Sequence, residues 1–371
     1  MQFGLSESQK ILKDNARKFF SVECPIADVR RLMETDAAYD DTLWKKMAEQ
    51  GFTGIIFPEE FGGLGLGKVE LILLMEEMGY ALVPGPFFST VVLAGSVLDA
   101  CGSAEQKKKY LEPICNGQSR ATVALTLDPG ATPNAEDGRV TIVNGKLTGR
   151  KLFVPDAAVA DFIIVITSSG AFVVDTKAAG TKIAPMHGMD RTRKLYSVEF
   201  NNAAAEKLAN STGWVQALDL ATAALVAEMV GGMQRTLDIT VQYAKTRKQF
   251  GKPIGSFQAV QHQCADMYLQ TESSRSAAYY AAWALQENAP DAQVAVSIAK
   301  MYASDACRNV GNHGIQVHGG MGFTWENDLH LYYRRAKSSE TMLGDATHHR
   351  ERIARLVMDK SAVSTQTAKT A

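Results

Sequence analysis

WVQALDLATAALVAEMVGGMQRTLDITVQYAKTRKQFG, residues 214–251, sets the reading of the whole chain. Trp214, Leu218, Ala221, Leu225, Met229, Met233, Leu237, Val241 and Ala244 recur every three or four positions, the period of one helix face. The spacing predicts one long helix from Thr212 onward. Ala217, Ala224, Ala227, Gly231 and Gly232 make parts of it slim, so neighbouring helices can come close. Helical spacing resumes over Phe257–Glu287, Asp291–Gly311 and beyond Asn327, with Pro290 separating the first two. A helical bundle over 212–360 is expected, followed by a flexible tail, 361–371, whose SAVSTQTAKTA has almost nothing to bury.

Toward the N-terminus the texture differs. Residues 121–205 consist of short runs of Val, Ile, Thr and Phe punctuated by Gly, Asn, Asp and Pro, which predicts a small β domain. Asn144-Gly145 suits a type I′ hairpin, because both central residues need positive φ, and a second hairpin is expected at Ser168-Ser169-Gly170. Residues 1–120 read as helical. Ser6-x-x-Gln9 forms a capping box ahead of Ile11, Leu12, Ala16, Phe19 and Phe20. Further helices are expected through Leu43, Trp44 and Met47 to Gly51, through Leu71, Leu74, Met75 and Met78 to Gly79, and over Thr90–Leu98 and Ala104–Ile114. The fold class is therefore α+β, in an α-then-β-then-α order without the βαβ alternation of a doubly wound sheet.

Composition narrows the function classes. The 371 residues are 46% apolar and 21% charged, and the net charge of −1 gives no basic surface for a nucleic-acid backbone. Five scattered cysteines without a CxxC pair argue against a disulfide framework or a zinc site, and fit a reducing cytoplasm. No secretory h-region opens the chain, and no uninterrupted apolar run nears the ~20 residues of a bilayer span. GGLGLG, 62–67, follows FPEEF rather than a strand and reads as a turn between helices, not a dinucleotide fingerprint. His348-His349 lacks ligands at metal spacing and reads as an exposed imidazole pair.

Two clusters carry chemistry. In TRKQFGKPIGSFQAVQ, 246–261, Arg247 and Lys248 complement a helix C-terminus. An arginine fork also binds pyrophosphate bidentately, Gln249 can hydrogen-bond, and Phe250 can pack on an aromatic ring. In GIQVHGGMGFTWE, 314–326, Gln316 and His318 precede Gly319, Gly320 and Gly322, where the missing Cβ lets backbone N–H groups approach a ligand or, equally, lets the chain turn tightly.

TRKQFG followed some seventy residues later by QVHGGMGF, with PEEFGGLGLG ahead of a β region, resembles the acyl-CoA dehydrogenases over nearly the whole chain. The resemblance implies an N-terminal helical domain, a middle β domain, a C-terminal four-helix bundle and a tetramer with FAD at subunit interfaces. It further implies an acyl-CoA substrate and an electron-transfer flavoprotein as electron acceptor. Arg247, Gln249, Phe250, Gln316, Gly319 and Gly320 are then expected to reach a neighbouring subunit's FAD, and Thr126 and Phe153 to serve this chain's own flavin.

The chain also departs from the family. A TEP-then-GSD loop is replaced by LTLDPGATPNAEDG, 125–138, and an aromatic-Ile-Thr-Asn stretch by KLFVPD, 151–156. The family's catalytic glutamate falls at Leu343 in SSETMLGDATHH, its alternative position falls at Ala221, and Thr222 stands where a CoA-contacting arginine is common. Asp345, Glu340 and Glu228 are candidate substitutes, with structural or exposed carboxylates as the default. The catalytic residue is therefore left unassigned. Elements serving a neighbour's FAD persist while those serving the chain's own substrate are lost, which favours a subunit paired with a catalytic partner, as in the α2β2 members. The alternatives are a homotetrameric enzyme with a non-standard base, a non-catalytic scaffold and, more weakly, a flavin monooxygenase on the same fold.

Overall fold

The computed structural model describes residues 4–125 and 140–367, the stretch 359–367 as backbone alone. It forms two units, residues 1–71 with 81–221 and residues 72–80 with 222–371.

The first unit opens with α1 (Glu7–Glu23), where Ser6 Oγ accepts from Gln9 N and Gln9 Oε1 accepts from Ser6 N. It continues with α2 (Ile26–Met33), which the sequence reading passed over, and α3 (Asp41–Glu49), capped by Asp40. Helix α4 (Lys68–Ala81) follows, its residues 72–80 counting with the second unit. Phe88–Gly95 is a wide π-helix running into α5 (Ser96–Cys101). Next come α6 (Ala104–Gln106), a second π turn over Lys107–Leu111 and α7 (Glu112–Cys115). The expected regular helices over 90–98 and 104–114 are thus interrupted. Thr90 is one cause of the wide turn, since its hydroxyl donates to Ala121 O (2.9 Å) and accepts from Ala121 N (3.1 Å).

Among the described residues, eight strands complete this unit: β1 (Ala121–Ala124), β2 (Thr141–Val143), β3 (Lys146–Pro155), β4 (Phe162–Thr167), β5 (Gly170–Asp175), β6 (Thr181–Met186), β7 (Leu195–Ala204) and β8 (Glu206–Lys207). They form two four-stranded sheets, ordered β1-β4-β5-β8 and β2-β3-β7-β6. Ile163, Val165, Phe172 and Val174 of one sheet and Leu147, Val154, Val198 and Phe200 of the other share one buried core. Asn144 (φ 50°) and Gly145 (φ 71°) make the expected type I′ turn, and β4 pairs with β5 across Ser168 and Ser169.

The remaining described residues are mainly helical, with one hairpin: α8 (Trp214–Thr246), β9 (Lys248–Gln249), β10 (Lys252–Pro253), α9 (Gln258–Gln286), α10 (Ala292–His318), α11 (Leu329–Thr341) and α12 (Ala346–Thr367). Helix α8 is long and apolar enough to cross a membrane by length and composition, but 78% of that window is buried in the protein. Helix α12 continues to Thr367, past the point where a loose tail is expected.

Glycines decide how the second unit closes. Helix α4 does not stop at Gly79. A Cβ there would lie 2.0 Å from Glu228 O, and one on Gly231 would lie 1.9 Å from Glu76 O, so the α4 and α8 backbones touch. Beside this crossing runs a polar network. Arg275 Nε donates to Glu76 Oε1 (3.0 Å) and its Nη2 to Gln234 Oε1 (2.8 Å), while Tyr279 OH donates to Glu76 Oε2 (2.6 Å). Tyr80 OH donates to Asp238 Oδ2 (2.9 Å), and Tyr332 OH to Tyr80 O (3.0 Å). Such a network fixes one register, because any slip strands buried polar atoms.

Candidate functional site

Helix α8 ends by handing its last turn to the hairpin: Arg247 N donates to Tyr243 O (2.8 Å), and Ile254 N to Arg247 O (2.8 Å). Strands β9 and β10 pair Gln249 with Lys252 across a turn whose central residues are Phe250 (φ 54°) and Gly251 (φ 79°). A type I′ turn favours Asn-Gly, and a bulky side chain in left-handed backbone costs about 1–2 kcal/mol. At the tip of this turn Phe250 is 92% exposed, its ring edge-on to Phe257 at 6.1 Å. Arg247, Lys248 and Gln249 are exposed too, and among the described residues their side chains have no ion pair or hydrogen bond. An unpaired guanidinium beside a projecting aromatic suits a ligand with a phosphate and a planar ring.

The second cluster ends α10. Gln316 is exposed; Gly319 (φ 60°) terminates the helix, and a Cβ on Gly319 or Gly320 would meet nothing within 4 Å. The backbone there is open to an approaching ligand. His318 donates from Nδ1 to Gly314 O (2.8 Å) and stacks on Tyr243 with ring centroids 4.2 Å apart. That stack joins the last turns of α8 and α10, bringing the two sequence clusters to one face of the second unit. The sequence reading did not pair Tyr243 with His318; their places in the last turn of each helix were the only signal.

Phe153 lies in the first unit, on a bulge of β3, with φ 56° and its N–H donating to Met186 Sδ (3.4 Å). Two residues on, Pro155 has no N–H to offer. Lys151, fully buried, donates to Leu125 O (3.1 Å), and buried Asp156 (φ 52°) accepts from Ser89 Oγ (2.6 Å). Neither charged residue was expected inside. Thr126 lies outside the described residues.

The turn after α11 is held from several sides. Leu343 is buried in left-handed backbone (φ 58°), followed by Gly344 (φ 97°). The three candidate carboxylates all have structural partners. Glu340 pairs with Arg308 (2.7 Å) and Lys337 (3.3 Å), Asp345 Oδ1 caps α12 by accepting from His348 N (2.8 Å), and buried Glu228 pairs with buried Arg335. Ala221 is fully buried and Thr222 nearly so.

The His348-His349 pair is not exposed. His349 is 2% accessible, and its Nε2 lies 3.0 Å from Leu343 O, so the neutral Nε2–H tautomer donates there while Nδ1 has no partner. Burial first, then the charge of Lys300, pushes its pKa down to about 3 from 6.5. Between these values the unfolded chain binds a proton that the native state refuses, so stability falls as pH drops below 6.5. The loss from this group is about 2 kcal/mol at pH 5. His349→Gln, which keeps an N–H donor, is expected to shrink the difference between the unfolding free energies from urea melts at pH 7 and pH 5 by that amount.

Comparisons with known proteins bear on this geometry. The acyl-CoA dehydrogenase N-terminal domain model matches residues 6–118, and the acyl-CoA dehydrogenase C-terminal domain model matches residues 213–358. The acyl-CoA dehydrogenase IpdE2 of Mycolicibacterium smegmatis is 33% identical over 353 residues, 95% of this chain and 98% of that protein. The chain belongs to the acyl-CoA dehydrogenase family. As a member it is an oxidoreductase acting on CH–CH groups, with FAD as its cofactor. Two solved structures are similar over 96% of this acyl-CoA dehydrogenase, each at 30% identity. One is a variant of the Tcur3481-Tcur3483 steroid ACAD (TM-score 0.89, 99% of that chain). The other is the ChsE4-ChsE5 complex from Mycobacterium tuberculosis (TM-score 0.88, 98% of that chain). The α8–α10 face fits part of an FAD: an unpaired arginine for phosphate, open glycine backbone and an exposed ring. The β3 bulge fits the flavin ring less well, because Pro155 withholds a donor.

Proposed function

We propose that this acyl-CoA dehydrogenase works as one subunit of a heteromer, lending Arg247, Gln249, Phe250, Gln316, Gly319 and Gly320 to an FAD whose remaining contacts come from a second, acyl-CoA dehydrogenase-like subunit. The partner supplies the base. One contrast carries the reading: the α8–α10 face keeps unpaired donors, whereas the turn at Leu343 has an apolar side chain and every nearby candidate carboxylate is engaged. Its likeness to the two steroid ACAD and complex structures supports an α2β2 assembly and a bulky, steroid-type acyl-CoA thioester. The assembly is cytoplasmic and passes electrons to an electron-transfer flavoprotein.

The reaction needs a carboxylate to remove the α-proton of the thioester, and leucine has no lone pair for it. FAD, when bound, accepts the β-hydrogen as hydride. This chain's part is binding and orientation. Arg247 neutralises phosphate charge through its fork, the Gly319 and Gly320 backbone offers N–H groups, and Phe250 covers a ring face. Phe153, with Thr126, is the local contribution to the chain's own flavin position.

Arg247→Ala should leave the fold intact, since the side chain has no protein partner, and weaken FAD retention about 10- to 100-fold, the worth of charge-assisted hydrogen bonds. The flavin-to-protein ratio after gel filtration of the co-purified complex measures this. Unchanged occupancy would assign the cluster to packing alone. The lone chain is expected to oxidise no acyl-CoA; stoichiometric FAD with turnover in the lone chain would sink the heteromer.

A further inference from the structure

Lys300 is the one lysine of α10, and it is fully buried. Its ammonium lies 3.0 Å from Ser339 O, 3.0 Å from Glu340 O, 2.9 Å from Gly344 O and 3.1 Å from Ser304 Oγ. Three of these oxygens are carbonyls at or just beyond the C-terminus of α11, where helix carbonyls lack intrahelical partners and carry the negative end of the dipole. Four oxygens lie within 2.9–3.1 Å of one ammonium, more acceptors than it has protons, as they would around a small monovalent cation. Ser304 Oγ also approaches Glu340 O at 3.5 Å, and His349 holds Leu343 O from α12.

We infer that Lys300 is the positioning residue of the Met342–Asp345 turn: its ammonium is a tethered cation filling an oxygen cage that sets the left-handed backbone at Leu343 and Gly344. Nothing in the catalytic chemistry proposed above calls on this lysine. The inference rests on that proposal only in giving the turn its importance, as the place where this chain presents leucine instead of a base. Packing alone does not explain it, because burying a charge is costly and an apolar residue would fill the channel at less expense. The cage explains it: without a cation, Ser339 O, Glu340 O and Gly344 O would each lose this buried donor.

The groups acting on the ammonium are Cys307 on α10, Glu340 on α11 and Asp345 in the turn, and the ammonium in turn acts on His348 and His349 of α12. Burial pulls its pKa down to about 8, so at pH 7 it is still mostly protonated. Once released to water it would titrate near 10.5.

Hydrogen–deuterium exchange on the full chain tests the cage. In Lys300→Ala, amides 339–349 should exchange about tenfold faster while the β4 and β5 amides keep their wild-type rates. Millimolar n-propylammonium, which replaces the deleted atoms, should restore protection to within about threefold, and 1-propanol should not. Protection unchanged within about twofold, a uniform loss across both units, or equal rescue by 1-propanol would overturn the inference. Should Lys300→Ala fail to fold, Ser304→Ala removes one cage oxygen at little change in volume and should speed only amides 339–349. None of these readouts involves FAD, so they fail or succeed independently of the Arg247 experiment.

Discussion

Gly231→Ala should destabilise the protein by about 4 kcal/mol, while the same change one residue on, Gly232→Ala, should be neutral or stabilising. The new methyl at 231 would sit 1.9 Å from Glu76 O and 2.6 Å from Tyr80 N, both backbone atoms that cannot rotate away. Helix α4 would have to retreat from α8 by an ångström or more, on the order of half a methyl diameter. That movement would pull on Glu76–Arg275 and on the hydrogen bonds of Tyr80 with Asp238 and Tyr332, whose 2.9–3.0 Å lengths leave no slack. At 232 the nearest atom to an added Cβ is Gly79 O at 4.0 Å, and alanine gains up to about 1 kcal/mol of helix propensity. Urea midpoints of the two variants measured side by side check this, and equal effects would mean that the α4–α8 contact is looser than the backbone distances imply.

A comparable loss is expected from Arg335→Met. Arg335 and Glu228 are 7% and 5% exposed, so removing the arginine leaves a carboxylate buried without its cation, a change worth about 3–5 kcal/mol. The pair also borders a cavity of about 20 Å³ lined by Met229, Thr236 and Cys307, room for one water molecule but not for a relaxed, hydrated carboxylate. The double variant Glu228→Leu/Arg335→Met removes both charges and should recover most of the loss, because two desolvation costs disappear together. If the single variant costs under about 1 kcal/mol by chemical denaturation, the pair behaves as a solvated surface bridge and Glu228 regains standing as a candidate base.

What could be read from sequence were the features with a local cause. A capping box, an Asn-Gly turn and a 3.6-residue apolar period each act over a few residues, and each appears where it was expected. Residues whose role depends on a distant neighbour were not legible. Gly79 looks like a helix stop, but its missing Cβ serves Glu228 O, some 150 residues away. Lys300 carries a charge that by itself predicts exposure, and the α11 carbonyls that receive its ammonium come from some forty residues away. His349 reads as exposed because no metal ligands stand at the right spacing, and its burial depends on Leu343 O and the turn packed over it. Helix α2 escaped notice because eight residues after a proline carry too little periodicity to stand out. Within the candidate site, the residue types of the first cluster suited a pyrophosphate and an aromatic ring while the second fitted a ligand or a tight turn equally, and their adjacency depends on the lengths of α8 and α10, whose last turns meet at Tyr243 and His318.

The left-handed phenylalanine at the tip of the β9–β10 hairpin has a consequence for how this chain exists on its own. Asparagine at that place would relax the backbone and take a greasy ring out of water, so the isolated molecule is held above a more comfortable conformation one codon away. The backbone strain is local and stays with the chain, while the exposure of the ring ends when something flat covers it. A chain built this way is a fragment in the thermodynamic sense: its tip is shaped for company, and solitude is the state in which it is least at rest.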